Sequence, residues 1–266
     1  MKLKFKLIVA AAALAVAGQA SAAISTSASG NGEMFLSVYD ANANMSYTKD
    51  LGITIDAFLA GSSSNLSFAS DSLLDGFKTA GVLNSGITWG IGATDKSGVN
   101  RILTTTNAPT GTASGQIGSL NGGQLRTMAA NTDVYLMAVN DRAVAAFGGS
   151  TSTAVNSAIT ATPADGSYVP TNNVDTWAGA QTVFHSMSNV GTAQNFFLLS
   201  TVGTGSTTKI LVNQFTNTYG NSTWNLGTDG TLSYMTAAAV PEADTWAMFG
   251  VGLLMIGAIA RRRMQS

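Results

Sequence analysis

The chain has 266 residues, 45% of them hydrophobic and only 10% charged, and its 13 basic and 14 acidic side chains leave a net charge of −1. It contains no cysteine, which excludes disulfides, thiol catalysis and cysteine-ligated metal. Charged residues fall well below the roughly 25% of a typical soluble domain, and without a polybasic run outside the termini, nucleic acid is excluded as a partner.

The N-terminus reads as a secretory signal peptide over residues 1–22. Lys2, Lys4 and Lys6 form a basic start, and residues 7–18 an apolar core too short to span a bilayer comfortably. Ala20 and Ala22 flank Ser21 in the small-x-small pattern that signal peptidase accepts, so cleavage is expected after Ala22. The chain is therefore expected to be exported.

Residues 23–236 form the expected secreted domain, with seven basic and twelve acidic side chains and a net charge of −5. Residues 24–32 are small and polar and read as a flexible lead-in. Strands are expected over 33–40, 45–50, 53–59 and 66–68, where β-branched and aromatic residues are dense or alternate with polar ones. Residues 73–78 suit one or two helical turns. A strand pair at 87–93 and 100–105 is joined by the turn Asp95-Lys96-Ser97-Gly98. The spacing over 119–147 allows helices, although 133–140 fits a strand equally. Residues 150–173, rich in Ser, Thr and Ala with Pro163 and Pro170, read as a long surface loop. Two hairpins follow, 194–202 with 209–215 and 223–226 with 231–234, the second closed by an Asp229-Gly230 turn.

Residues 237–266 form the last unit. Val240, Pro241 and Glu242 open it, Asp244 and Trp246 follow, and 245–260 carries no charge before Arg261, Arg262 and Arg263. Sixteen helical residues cover roughly 24 Å against about 30 Å of hydrocarbon, a deficit that snorkelling arginines accommodate. Pro241 suits a first helical turn, the two acids suit the positive end of the helix dipole, and Trp246 suits the outer interface. The arginines are expected to place the short C-terminus inside, so a single transmembrane helix is expected to hold the domain outside the cytoplasm.

The sequence Val240-Pro241-Glu242-x-x-Thr245-Trp246, followed by a glycine-rich apolar stretch and the arginine run 261–263, resembles the PEP-CTERM sorting signal of Gram-negative, biofilm-forming bacteria. Ala243 stands where that family has a second proline. The resemblance implies recognition by exosortase, a membrane-embedded cysteine transpeptidase, then release from the inner membrane to the cell surface or exopolysaccharide matrix. It assigns recognition to Val240, Pro241 and Glu242, the membrane helix to 245–260 and the stop to Arg261, Arg262 and Arg263. The segments 32–40 and 46–52 also resemble the start of PEP-CTERM domains, and that likeness implies no activity.

No catalytic constellation stands out. His185, the single histidine, sits among apolar neighbours as structural histidines do, and no Gly-x-Ser-x-Gly elbow marks a serine. Residues 203–209 superficially resemble a phosphate loop, but Lys209 precedes a strand rather than a helix, so a hairpin turn is expected. The turns at Asp95 and Asp229 offer carboxylates to calcium, the one cofactor left open, yet no EF-hand loop is present. The pairs Asp71/Asp75 and Asp50/Asp56 are formal glycosidase candidates. Trp89, Trp177 and Trp224, with Tyr39, Tyr47 and Tyr168, could stack on sugar rings, but Trp89 and Trp224 fall in expected strands, where burial is the default. Three Asn-x-Ser/Thr sequences occur, at Asn44, Asn65 and Asn221.

The expected fold is all-β, a β-sandwich with one or two accessory helices, between a signal peptide and a single C-terminal transmembrane helix. The expected role is that of a non-enzymatic surface or matrix protein without a cofactor. Signal peptidase and exosortase would be its processing enzymes, extracellular polysaccharide its partner, and the inner membrane a transient location. The alternatives are a carbohydrate-binding or adhesive module, and a polysaccharide hydrolase.

Overall fold

The computed structural model describes residues 23–106, 116–146, 157–160, 166–169 and 187–237. In chain order its first half comprises β1 (Glu33–Asp40), β2 (Met45–Thr54), α1 (Ile55–Gly61), β3 (Leu66–Phe68), α2 (Ser72–Asp75), β4 (Lys78–Thr79), β5 (Val82–Leu83), β6 (Ile87–Asp95) and β7 (Arg101–Thr105). Then come α3 (Gly122–Ala146), β8 (Ser157–Thr160), β9 (Ser188–Asn189), β10 (Gln194–Thr201), β11 (Ile210–Gln214), β12 (Thr216–Asn217), β13 (Gly220–Asn221), β14 (Thr223–Leu226) and β15 (Leu232–Met235). The fold is mostly β.

Eleven strands form one antiparallel sheet in the order β3-β15-β14-β10-β7-β6-β1-β2-β8, with β11 added to β10 and β9 to β6. Two strands each give one edge to two partners. β10 pairs with β14 at Gln194 and Asn195 and with β11 from Phe197 onward. β6 pairs with β9 at Thr88 and Trp89 and with β7 from Gly92 onward. These divided edges let the sheet curl.

Strand alternation sorts side chains to two faces. On one face, Leu36, Val38, Trp89, Ile91, Leu103 and Phe196 share a buried cluster with Trp224, Leu226, Leu232 and Tyr234 from the curled-over hairpin, and with Phe58 of α1. On the other, Phe35, Ile102, Phe197 and Leu199 pack with Leu125, Met128, Tyr135, Leu136 and Val139 of α3.

Three expectations need correction. Residues 53–59 do not continue as a strand, because β2 ends at Thr54 and α1 begins at Ile55. The Thr54 hydroxyl accepts from the Ala57 N–H, Asp56 lies in the first turn, and Asn31 Oδ1 accepts from the Asp56 N–H at 2.8 Å. Ile55 and Phe58, three apart, are the residues this helix buries. Nor is the segment 24–32 a flexible lead-in. It contains a 3₁₀ turn (Ser27–Ser29), buries Ile24 and Ser27, and is tied to α3 through Asn140 and Asp133. Finally, the expected loop 150–173 contains β8, an edge strand on β2. The ambiguous stretch 133–140 is helical, in the middle of α3.

Among the described residues no helix is long and apolar enough to cross a membrane. The expected signal peptide and the expected span 245–260 both lie outside those residues.

Candidate functional site

The acidic candidates each engage structural partners. Asp71 caps α2, its Oδ1 accepting from the N–H groups of Leu73 and Leu74, each at 3.0 Å. Its Oδ2 accepts from the Tyr47 hydroxyl at 2.7 Å and pairs with Lys49 at 3.3 Å. Partial burial opposes ionisation, but the Leu74 N–H, the Tyr47 hydroxyl and Lys49 outweigh it and hold this carboxyl below its ordinary range. Asp75 is also held low, by Lys78 and Ser70. A glycosidase acid needs a raised pKa, and both carboxyls of this pair are shifted the other way. Asp56 pairs with Arg101 at 2.6 Å, and buried Asp50 accepts from the Gly52 N–H.

The turn carboxylates considered for calcium are likewise engaged. Asp95 accepts from the Ser97 N–H and from the Arg101 guanidinium at 2.6 Å. Asp229 accepts from the N–H and the hydroxyl of Thr231, closing the β14–β15 turn. Among the described residues no group of three or more His, Asp or Glu could hold a metal ion.

The glycine-rich segment 203–209 lies between β10 and β11 as a turn. Its carbonyls, rather than its N–H groups, face the start of α3. Thr208 and Ser206 accept from the N–H groups of Gly122 and Gly123 at 2.9 and 2.8 Å. Asn121 and Gln124 complete a reciprocal cap. Those helix N–H groups are thus unavailable to a phosphate.

Trp89 and Trp224 are fully buried, which removes both as sugar-stacking platforms. Tyr47 is also buried. The Tyr39 and Tyr168 rings meet edge-to-face with centroids 5.7 Å apart, and both hydroxyls donate to Asn44 Oδ1. His185 and Trp177 lie outside the described residues, as do Ala20, Ala22, Val240, Pro241, Glu242, Arg261, Arg262 and Arg263.

What the structure adds is a cleft of about 110 Å³ lined by Ser62, Ser63, Phe215, Thr216, Asn217, Ser222, Tyr234 and Thr236. Four separate stretches of chain build it. Tyr234 crosses it to donate to the Ser62 carbonyl at 3.1 Å, and the Ser222 N–H donates to the Phe215 carbonyl at 2.9 Å. Phe215 packs edge-on against Phe58 at 5.3 Å and adds an aromatic ring to the lining. No lining residue is a carboxylate, histidine, lysine or arginine. The lining can donate and accept neutral hydrogen bonds beside an aromatic surface. It is smaller than the roughly 300–1,000 Å³ of a typical small-molecule site, so it suits one group of a larger ligand.

The same corner is where the described chain ends. Asn65 Oδ1 accepts from the N–H and hydroxyl of Thr236 at 2.9 and 3.1 Å, and Asn217 Nδ2 donates to the Ala237 carbonyl at 2.7 Å. The sequence carried no signal for this corner, because scattered Ser, Thr and Asn residues form no motif until the sheet curls. No family model matches the chain, and neither a curated protein nor a solved structure matches it.

Proposed function

We propose that the chain is an exported, non-enzymatic surface or extracellular-matrix protein, tethered through its C-terminal segment and then released by exosortase-type processing. The observation that carries this reading is the order Val240-Pro241-Glu242, an uncharged 245–260 and Arg261-Arg262-Arg263, opposite a signal-peptide pattern ending at Ala22. The structural use of the acids at positions 56, 71, 75, 95 and 229 supports a non-enzymatic domain. We also read the curled sheet as a β-sandwich whose second layer is β3, β15 and β14, supported by the cluster Trp224 and Tyr234 share with Trp89 and Val38.

The test is the mature C-terminal residue, read by mass spectrometry in a host that has exosortase. Loss of the apolar helix and the arginines is expected, with the domain outside the inner membrane. Glu242→Ala and Pro241→Ala should trap the full-length form there. Wild-type protein retained in the inner membrane with Arg263 still attached reduces the tail to a simple anchor and sinks the sorting reading.

A second reading, a carbohydrate-binding module, is favoured by the uncharged cleft with Phe215 and Tyr234 in its lining. Ser63→Trp, at an exposed position on its rim, should abolish retention of the protein on host exopolysaccharide. Unchanged retention removes the cleft as the site.

A further inference from the structure

The end of the described domain that leads into the tail also carries two exposed, membrane-compatible side chains. Tyr219 is 59% exposed and Met235 is 50% exposed. Tyr219 sits in the turn between β12 and β13, held by its N–H to Asn217 Oδ1 at 2.8 Å. The next residue, Gly220, has φ +143°, and a Cβ there would lie 3.5 Å from the Ala237 Cβ, so this turn rests against the tail exit. Met235 ends β15, two residues before Ala237. Ser62, Ser63, Asn217 and Thr236 of the adjoining cleft, Asn65 bonded to Thr236 and Asn221 paired with Thr216 are all uncharged.

Chain length sets how far this corner can stand from a bilayer. The Ala237 carbonyl is fixed by Asn217. A trans chain spans at most about 3.6 Å per residue, so Val240 lies within roughly 11 Å of that point and Thr245 within roughly 29 Å. The 245–260 segment covers only about 24 Å of a hydrocarbon core near 30 Å, which draws the residues preceding it toward the headgroup layer. The headgroup layer adds only about 5–7 Å on each side of that core, so a linker of at most roughly 29 Å keeps the corner close to the bilayer and is long enough to reach that layer. Tyrosine favours that layer, and an uncharged surface enters it without stripping water from an ion.

We propose that, while the tail is in place, this corner docks on the outer phospholipid interface through Tyr219 and Met235. The inference rests on the reading of 245–260 as a membrane segment. It gives the Asn65 and Asn217 contacts a role, which is to hold the exit flush with the docking surface.

The cysteine-free chain permits a direct test with the full-length protein in phosphatidylethanolamine–phosphatidylglycerol vesicles. A fluorophore is placed at Ser63→Cys, beside the two side chains, and quenched by phospholipid spin-labelled at the headgroup. A second probe at Ala247→Cys reports insertion of the tail. Asn221 Nδ2 of the corner donates to Asn195 Oδ1 at 3.4 Å, and a third probe, at Val202→Cys, lies seven residues along from Asn195 past the far end of β10, roughly 23 Å away. The expected result is loss of emission at 63 and none at 202, with the loss at 63 reversed by combining Tyr219→Asp with Met235→Asp. If 247 inserts but 63 is not quenched, or if the Asp variants leave the quenching at 63 unchanged, docking is overturned and the membrane-segment reading stands. If 247 does not insert, that reading falls and docking falls with it.

Discussion

Tyr135 shows how much one buried hydroxyl can organise. It rises from α3 to the sheet face between β1 and β2, where Ser37 and Thr48 stand opposite each other in register, and it hydrogen-bonds both. All three residues are buried. Burial pushes the Tyr135 pKa up to about 12, while the hydrogen bonds to Ser37 and Thr48 pull the other way. Because the folded value lies above the ordinary 10.0, its contribution to stability is complete below pH 10.0 and is lost as pH rises toward about 12. Alkaline unfolding should therefore begin above pH 10.0, with the part of the tyrosinate absorbance that Tyr135→Phe removes rising together with loss of circular dichroism. Early ionisation of Tyr135 in a still-folded chain would contradict this. Tyr135→Phe leaves two buried hydroxyls without their partner and should cost about 1–3 kcal/mol in denaturant unfolding at neutral pH. The variant should also have a shallower alkaline transition.

Elements were legible in the sequence wherever their determinants are local. β1 matches its expected span of 33–40, and both late hairpins form where Gly and Asp-Gly turns close them. β8 was not legible, since Ser157–Thr160 has one large apolar side chain and becomes a strand only by pairing with β2, more than a hundred residues away. α1 departs from its expected strand for the opposite reason. The alternation of Ile53, Ile55 and Ala57 suggested a strand, while the cap at Thr54 and the acid at Asp56 were the local signals that decided the outcome. The cleft was invisible for the same reason as β8, its lining residues being distant in sequence. The start of α3 gives a prediction at this scale. Glycine normally weakens a helix, so Gly122→Ala would gain up to about 1 kcal/mol from propensity alone. Its new Cβ, however, would lie 2.6 Å from the Gly205 carbonyl oxygen and 3.0 Å from Thr201 Cγ2. The first of these is backbone and cannot step aside without moving the β10–β11 turn. The contact decides the sign. Gly122→Ala should lose about 1–3 kcal/mol, with faster hydrogen exchange at Gly123 and at the 122 amide. A stabilised variant would mean that the turn yields freely.

Across the whole molecule the question is whether the two buried faces fold as one unit. They share backbone. β1 sends Leu36 to one cluster and Phe35 to the other, β7 divides Leu103 and Ile102, and β10 divides Phe196 and Phe197. A strand that leaves one face leaves both, so damage on one side should propagate through these shared strands. Phe58 provides the test because it belongs to one cluster alone. It is 2% exposed, and its ring meets Phe196, Phe215 and Tyr234 edge-on at 5.2–5.3 Å while stacking on Trp224 at 6.4 Å. Phe58→Ala opens a cavity that these large rings cannot collapse to fill, at a cost of about 3–5 kcal/mol. That is a large part of the roughly 5–15 kcal/mol by which a domain is stable. In a background carrying Trp177→Phe and Trp246→Phe, tryptophan fluorescence reports the Phe58 face through Trp89 and Trp224, and helical circular dichroism reports the α3 face. If the faces are coupled, both signals should shift to lower denaturant by the same amount and remain superimposed. If the helix signal instead outlasts the tryptophan signal in the variant, α3 holds its face of the sheet without the aromatic cluster, and the domain is two cooperative units built on one set of strands.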